Sequence, residues 1–122
     1  MGTAVVYASA TLSLALVETL VHATSGILPA YSAVPLSFDD SLLTMLRDEE
    51  LPAGWNHHPA PPTTRALGDA WVRRAESAVL RVPSVAVPLE LDYVLNPRHP
   101  DFTRVAIGVP LPFPFDPRLP LP

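Results

Sequence analysis

The sequence predicts one α+β domain with a central sheet flanked by helices, and three observations favour this fold. Hydrophobic residues make up 48% of the 122 positions, a composition typical of a packed core rather than of a disordered chain. Strand-like and helix-like runs alternate in the first half of the chain, and β-branched runs dominate the second half. All sixteen prolines lie at or after Pro29, where they punctuate these runs. With no internal repeat and no visible boundary, we expect a single domain over residues 1–122.

The N-terminal quarter predicts a strand followed by a helix. TAVVYAS is a short apolar run that predicts a strand ending near Tyr7. Ser9 or Thr11 then offers an N-cap for a helix that runs to about Ala23, where Thr24, Ser25 and Gly26 provide a stop. This helix is apolar on nearly every side, so we expect it to be buried on more than one face.

The middle of the chain predicts a strand, a short helix, a loop and a second long helix. AYSAVPLSF predicts the strand, and SLLTMLRDEE predicts a short helix capped by residues 39–41 and ended before Pro52. LPAGWNHHPAPPTT predicts a surface loop, because its prolines and polar residues cannot sustain a ladder. Thr63 or Thr64 caps the next helix, RALGDAWVRRAES. Its inward-facing residues are predicted to be Leu67, Ala70, Trp71 and Ala75.

The C-terminal third predicts strands. AVLRVPSVAVPLELDYVL is strand material interrupted at residues 83–84 and at Pro88. A turn over residues 96–101, a last strand in RVAIGVPLPFPF and an extended tail follow. Pro117 and Pro120 in the tail have the PxxP spacing of a polyproline ligand, but an edge strand running into a tail is the preferred interpretation.

Charge and composition exclude several classes of function. The net charge of −4 offers no basic surface for nucleic acid. The absence of cysteine excludes disulfides, thiolate metal sites and cysteine nucleophiles. The N-terminus lacks the basic segment of a signal peptide, and no apolar run reaches the ~20 residues that a membrane span requires. We therefore expect a soluble cytoplasmic protein without a nucleic-acid or membrane partner.

Glu18 is the first candidate site residue. No other Asp, Glu, Lys or Arg occurs among the first 38 residues, and a carboxylate in an apolar helix is costly to bury unless it has a partner or a function. His22 follows one turn later, so the two could form an acid–base pair or hold a metal. The remaining histidines, all in predicted loops, are His57, His58 and His99. They lack a supporting cluster of ligands, so no metal site is expected. For Glu18, a structural interpretation, in which it faces solvent or pairs with an Arg, has the same weight as a functional one.

Ser84 is the second candidate, and its local sequence is a weak signal. The surrounding RVPSVAVP lacks the G-x-S-x-G pattern of a hydrolase nucleophile. A strand residue or turn cap is the ordinary interpretation. The chain also contains no dinucleotide-binding glycine pattern and no P-loop.

The order of the motifs adds a more specific indication. VVYAS, SLALVETLVHA, LPAGW, the run over residues 67–102 and PFPFDPRL follow one another in the chain. In this order they closely resemble the RES domain family, the toxins of bacterial RES–Xre toxin–antitoxin modules. The resemblance covers nearly the whole chain. It implies a fold similar to that of ADP-ribosylating toxins.

The resemblance also implies site residues. Glu18 and Ser84 match the family's catalytic Glu and Ser, while Tyr7 and Ser9 lie where the substrate NAD would bind. The family's Arg normally lies upstream of the VVY strand, and no Arg occurs in this chain before Arg47. The sequence is therefore expected to be an N-terminally short copy that lacks this Arg.

The resemblance implies a toxin that depletes NAD by cleaving the nicotinamide–ribose bond, through hydrolysis or phosphorolysis. NAD would be its substrate, with no metal and no cofactor. The expected partner is an Xre-like helix-turn-helix antitoxin, and a homodimer is left open. One alternative is an ADP-ribosyltransferase acting on a protein target. Another is a truncated, inactive module that only binds the antitoxin.

Overall fold

The computed structural model describes residues 4–22, 31–57 and 60–119, except for the side chain of His22. Two α-helices are present in these residues, α1 (Leu12–His22) and α2 (Pro62–Arg74). The strands are β1 (Val6–Ser9), β2 (Tyr31–Ala33), β3 (Leu36–Ser37), β4 (Leu43–Met45), β5 (Val79–Pro83), β6 (Leu91–Leu95), β7 (Ala106–Ile107) and β8 (Leu111–Phe113). Short 3₁₀ turns cover Asp40–Leu42, Asp48–Glu50 and Pro100–Arg104.

A four-stranded mixed sheet forms the centre of the molecule, with strand order β1-β6-β5-β4. β5 and β6, both within the predicted strand material, form an antiparallel hairpin, and β1 adds antiparallel to β6. β4 pairs in parallel with β5 at the other side. This sheet and the two helices confirm the α+β prediction.

The prediction of one sheet is too simple, because the second and last predicted strands are each divided in two. β2 pairs with β8 and β3 pairs with β7, so that two small antiparallel ribbons accompany the main sheet. Pro35 separates β2 from β3, and Pro110 precedes β8. Proline cannot donate a ladder hydrogen bond, which explains why both runs break there.

The short helix predicted over residues 41–50 is wrong. Its first half is the strand β4, enclosed between two 3₁₀ turns. Leu43 and Met45 pair with Val79 and Arg81 of β5, and the preceding Leu42 is buried in the core. Tertiary pairing therefore overrides a helical propensity that was only moderate.

Helix α1 starts as predicted but is less buried than predicted. The hydroxyl of Thr11, not that of Ser9, caps the helix by accepting a hydrogen bond from the Leu14 amide at 3.1 Å. Leu14 is fully buried, whereas Leu12, Val17 and Val21 are exposed. The expected burial on more than one face is therefore only partial, since the other shielded side chains of α1 are half-buried, those of Ala15, Leu16, Glu18, Thr19 and Leu20.

Helix α2 begins earlier than predicted, because Pro61 and Pro62 rather than a threonine define its start. It ends at Ala75, which adopts a left-handed conformation with φ of 49° and is exposed rather than inward-facing. Trp71 is buried as predicted, and its indole Nε1–H donates to Ser77 Oγ at 3.0 Å. Ser77 in turn donates to the Val79 carbonyl at 2.8 Å, which fixes the helix to the start of β5.

The core lies between the central sheet and the segments packed on it. Its buried residues are Leu42, Ala78, Val79, Leu95 and Val105. Phe38 and Tyr93 pack against this cluster, with ring centroids 5.6 Å apart in an edge-to-face arrangement. No helix in the described part of the chain is long and apolar enough to cross a membrane.

Two glycines give opposite predictions for substitution by alanine. At Gly108 an added Cβ would lie 2.6 Å from Cγ of Pro35, and the Gly108 amide donates to the Pro35 carbonyl at 2.7 Å. We expect Gly108→Ala to lower the free energy of unfolding by about 1–3 kcal/mol. Gly68 lies within α2 with nothing within 4 Å of an added Cβ, so Gly68→Ala is expected to raise it by about 0.5–1 kcal/mol. Urea denaturation of both variants measures the difference, and effects of the same sign would contradict it.

Candidate active site

The carboxylate of Glu18 accepts hydrogen bonds from two serine hydroxyls. Ser9 Oγ donates to Glu18 Oε2 at 2.8 Å, and Ser84 Oγ donates to Glu18 Oε1 at 2.9 Å. Each oxygen of the carboxylate therefore has its own donor, and the side chain is half-buried. Hydrogen bonds to an ionised carboxylate are stronger than those between neutral groups. The arrangement fixes the position and the orientation of Glu18.

Ser84 is fully buried, with 0% exposure. Its Oγ accepts a hydrogen bond from the Val87 amide at 3.1 Å, and its own amide donates to the Glu90 carbonyl at 2.9 Å. Since the Val87 amide is a donor, the single hydroxyl proton of Ser84 is directed to Glu18. Ser84 thus links the β5–β6 connection to the carboxylate.

Three separate elements bring these residues together. Ser9 ends β1, Glu18 lies in the middle of α1, and Ser84 directly follows β5, 66 residues after Glu18. β1 and β5 both pair antiparallel with β6, which lies between them, so both serines lie at the same end of the sheet. Helix α1 follows β1 directly and crosses this end of the sheet.

Asp92 also belongs to this group, and the sequence did not reveal it. It lies in β6 opposite Ser9 of β1 and Val82 of β5. Burial and the neighbouring Glu18 raise the pKa of Asp92 to about 7, while the Ser9 hydroxyl opposes this shift. The available signal was an aspartate within the strand LELDYVL, because aspartate is disfavoured in strand interiors.

An open cleft of about 970 Å³ lies beside the group. Residues of β1, of α1 as far as Thr19 and of the two small ribbons line it, together with Tyr93 and Leu95 of β6. Aromatic rings are prominent in its wall. They belong to Tyr7, Tyr31, Phe38, Tyr93, Phe102, Phe113 and Phe115. The wall has no charged side chain among the described residues.

The predicted site residues differ in their relation to this cleft. Tyr7 and Ser9 both line it, and the side chain of Tyr7 is exposed. Glu18 and Ser84 are not part of its described lining. Ser9 is therefore the residue that connects the two regions, since it lines the cleft and donates to Glu18. The Ser9 hydroxyl therefore lies between the cleft and the Glu18 carboxylate.

The histidines give no indication of a metal site in the described part of the chain, where no group of three or more His, Cys, Asp or Glu could hold an ion. His99 Nδ1 accepts from the Asp101 amide at 3.0 Å, and Nε2 lies 3.0 Å from the Ala75 carbonyl. His99 therefore joins the end of α2 to the turn before β7. The side chain of His22, His58 and Pro120 of the PxxP pattern lie outside the described residues.

Comparison with known proteins supports the resemblance on which the site residues rest. A family model for the RES domain matches residues 1–116. The chain is 40% identical over 120 residues to Toxin Res of Yersinia enterocolitica, covering 97% of this chain and 79% of that protein. It is 35% identical over 123 residues to the Prs ADP-ribosylating toxin of a Sphingobium species, covering 98% and 76%. It is 34% identical over 106 residues to Toxin Res of Photorhabdus laumondii, covering 85% and 67%. With this family model and these identities, the chain belongs to the RES domain family.

Proposed function

We propose that this RES domain is a toxin that depletes NAD by cleaving the bond between nicotinamide and ribose. The observation that carries the proposal is the Glu18 carboxylate, held by Ser9 and Ser84 beside an aromatic cleft. Such a fixed negative charge is suited to a reaction that develops positive charge on a sugar. Relatives named Toxin Res support the toxin part of this proposal.

The proposed reaction breaks the bond between C1′ of the ribose and the nicotinamide nitrogen. The electron pair of that bond goes to the pyridinium ring, which leaves as neutral nicotinamide, and positive charge builds on the ribose. The negative charge of Glu18 stabilises that positive charge from behind the Ser9 hydroxyl. Water or phosphate then forms a bond to C1′, and water loses its proton to the solvent.

The proposed roles of Tyr7, Ser9 and Ser84 follow from their positions relative to the cleft and to Glu18. Tyr7 stacks on the nicotinamide ring in the cleft, and Ser9 lies between the bound ribose and Glu18. Ser84 is fully buried, so its part is to orient Glu18 rather than to contact NAD. The described cleft wall lacks a cation for the diphosphate of NAD, the group that the family's Arg is expected to hold.

A second candidate is the transfer of ADP-ribose to a protein. It is favoured by the 35% identity to a protein named Prs ADP-ribosylating toxin. The same bond breaks, and a side chain of the target replaces water as the nucleophile. The Glu18 site serves both reactions, because they differ only in the acceptor.

The deciding assay follows nicotinamide release from NAD by chromatography, with and without phosphate. The protein is assayed as the 122-residue chain and together with any residues encoded in frame before Met1. Free ADP-ribose, or ADP-ribose 1″-phosphate in the presence of phosphate, identifies NAD depletion. Mass spectrometry of lysate proteins that gain ADP-ribose identifies transfer instead. If none of these preparations releases nicotinamide, both candidates are wrong.

We also propose that the toxin is paired with an Xre-like helix-turn-helix antitoxin that covers the cleft. The toxin family and the exposed aromatic wall support this pairing. Co-expression of the neighbouring helix-turn-helix gene is expected to restore cellular NAD. Growth arrest that is unaffected by that gene would contradict the pairing.

Tyr7 gives a prediction about NAD affinity. Its ring is 71% exposed and lines the cleft, so its removal leaves the core intact. Tyr7→Ala is expected to raise the KM for NAD about fivefold, because stacking on an aromatic ring contributes about 1 kcal/mol. Tyr7→Phe keeps the ring and is the matched control, with KM expected to change less than about twofold. A KM that is unchanged in Tyr7→Ala would remove Tyr7 from the site.

A further inference from the structure

The register of the sheet places Asp92 against the Glu18 site. Ser9, Asp92 and Val82 form one row across β1, β6 and β5. Because successive side chains of a strand alternate between faces, this row lies on the face opposite that of Tyr93 and its neighbours. Glu18 contacts this face through the hydroxyl of Ser9. The two carboxyl groups therefore lie together at the end of the sheet where β1 stops.

Among the described residues, the two serine hydroxyls of this region are too few donors for two ionised carboxylates. A serine hydroxyl carries one proton, and those of Ser9 and Ser84 are both directed to Glu18. Oδ1 of Asp92 is buried and accepts no hydrogen bond from the described residues. A buried carboxylate oxygen without a donor is costly when the group is charged. One proton bound between the two groups removes this cost.

The groups that face Asp92 from the neighbouring elements are consistent with a bound proton. β1 contributes the hydroxyl of Ser9, and β5 contributes Val82, which has no charge. Helix α1 contributes Glu18, whose negative charge favours the protonated form of Asp92. Arg81 pairs with Tyr93 and so lies in the adjacent row, on the other face. His22, one turn after Glu18, has a side chain outside the described residues.

We propose that Asp92 is a positioning residue for Glu18, sharing one proton with it and donating that proton to the Glu18 carboxylate in addition to the hydrogen bonds from Ser9 and Ser84. This inference rests on the proposed NAD cleavage, because it assigns Glu18 the charge that the reaction uses. The raised pKa of Asp92, about 7, agrees with a proton held at neutral pH. Above that pH the proton leaves, the hydrogen bond is lost and two negative charges repel each other.

The pH dependence of kcat tests the positioning role. We expect kcat of the unmodified protein to fall as the pH rises through about 7. Asp92→Asn keeps an N–H donor and does not titrate, so its kcat is expected to stay within about threefold at pH 6 and to lose this alkaline decrease. Asp92→Ala removes the donor and is expected to lower kcat about tenfold or more, with little change in KM, since Asp92 is not part of the described cleft lining.

The control variant is Asp40→Asn, which removes an exposed aspartate in a 3₁₀ turn. Its pH profile is expected to match that of the unmodified protein. If Asp92→Asn keeps the alkaline decrease, or if Asp92→Ala keeps full kcat, the positioning role of Asp92 is wrong.

A second measurement needs no activity and separates this inference from the proposed function. The folded state favours the protonated form of Asp92, so it holds an extra proton between the ordinary pKa near 4 and the folded pKa of about 7. Stability must therefore fall as the pH rises through that range. We expect this decline in Tm to be smaller in Asp92→Asn than in Asp40→Asn.

The two measurements distinguish failure of the proposed function from failure of the shared proton. If the protein releases no nicotinamide but shows the Asp92-dependent decline in Tm, the NAD proposal is wrong and the shared proton stands. If the protein cleaves NAD but Tm declines equally in both variants, the shared proton is wrong.

Discussion

Replacing Glu18 by Gln is expected to abolish most NAD cleavage while the fold is retained. The amide is nearly isosteric and keeps one oxygen to accept from Ser9 or Ser84, but it removes the negative charge. Loss of a fixed electrostatic group that acts on the transition state lowers kcat by about 100-fold or more. Nicotinamide release under saturating NAD measures this effect, and circular dichroism checks the fold.

The matched control is Glu49→Gln, which removes an exposed carboxylate that pairs only with Arg47 among the described ion pairs. Surface pairs of this kind contribute little, so unchanged kcat is expected. A Glu18→Gln variant with more than about a tenth of the normal kcat would be incompatible with the electrostatic part proposed for Glu18. The same substitution also removes the charge beside Asp92, which should return the pKa of Asp92 towards its ordinary value.

The largest loss of stability is expected for Trp71→Ala. The indole is 3% exposed and connects α2 to β5 through Ser77. Truncating a buried tryptophan removes its apolar contacts and leaves a cavity, which costs about 3–5 kcal/mol. Urea denaturation followed by far-ultraviolet circular dichroism measures the free energy of unfolding without relying on tryptophan fluorescence.

Two companion variants separate packing from hydrogen bonding at this position. Trp71→Phe keeps an aromatic ring and removes the donor to Ser77, so a loss of about 1–2 kcal/mol is expected. Trp55→Ala truncates a half-buried tryptophan in the loop before α2 and should cost less than Trp71→Ala. A loss below about 1 kcal/mol for Trp71→Ala would show that the indole does not hold α2 to the sheet.

Local sequence patterns predicted the elements that are defined by local chemistry. Helix α1 begins with an N-cap at Thr11, and Pro83 and Pro88 mark the interruption between β5 and β6. β4 was mistaken for a helix because its three residues become a strand only through pairing with β5, which is distant in sequence. Short strands of this kind carry no period long enough to be recognised.

Only part of the candidate site was predicted, because its other residues also meet through pairing between distant parts of the chain. Glu18 stood out as a lone carboxylate in an apolar helix, whereas Ser84 was a weak candidate until it was matched to the family motif. Its hydrogen bond to Glu18 spans 66 residues and depends on the sheet order. Asp92 was missed because its position opposite Ser9 follows from strand register, which the sequence does not display.

The connection between β5 and β6 has a consequence for how this protein can vary. Surface loops usually accept insertions and deletions, and Leu89 in this one is almost fully exposed. Yet Ser84 Oγ binds the loop's own Val87 amide with the same oxygen that donates to Glu18. Side chains such as that of Leu89 are free to change, whereas a change in loop length would displace that oxygen and rotate the carboxylate. The number of residues in this loop is therefore constrained more tightly than their identity.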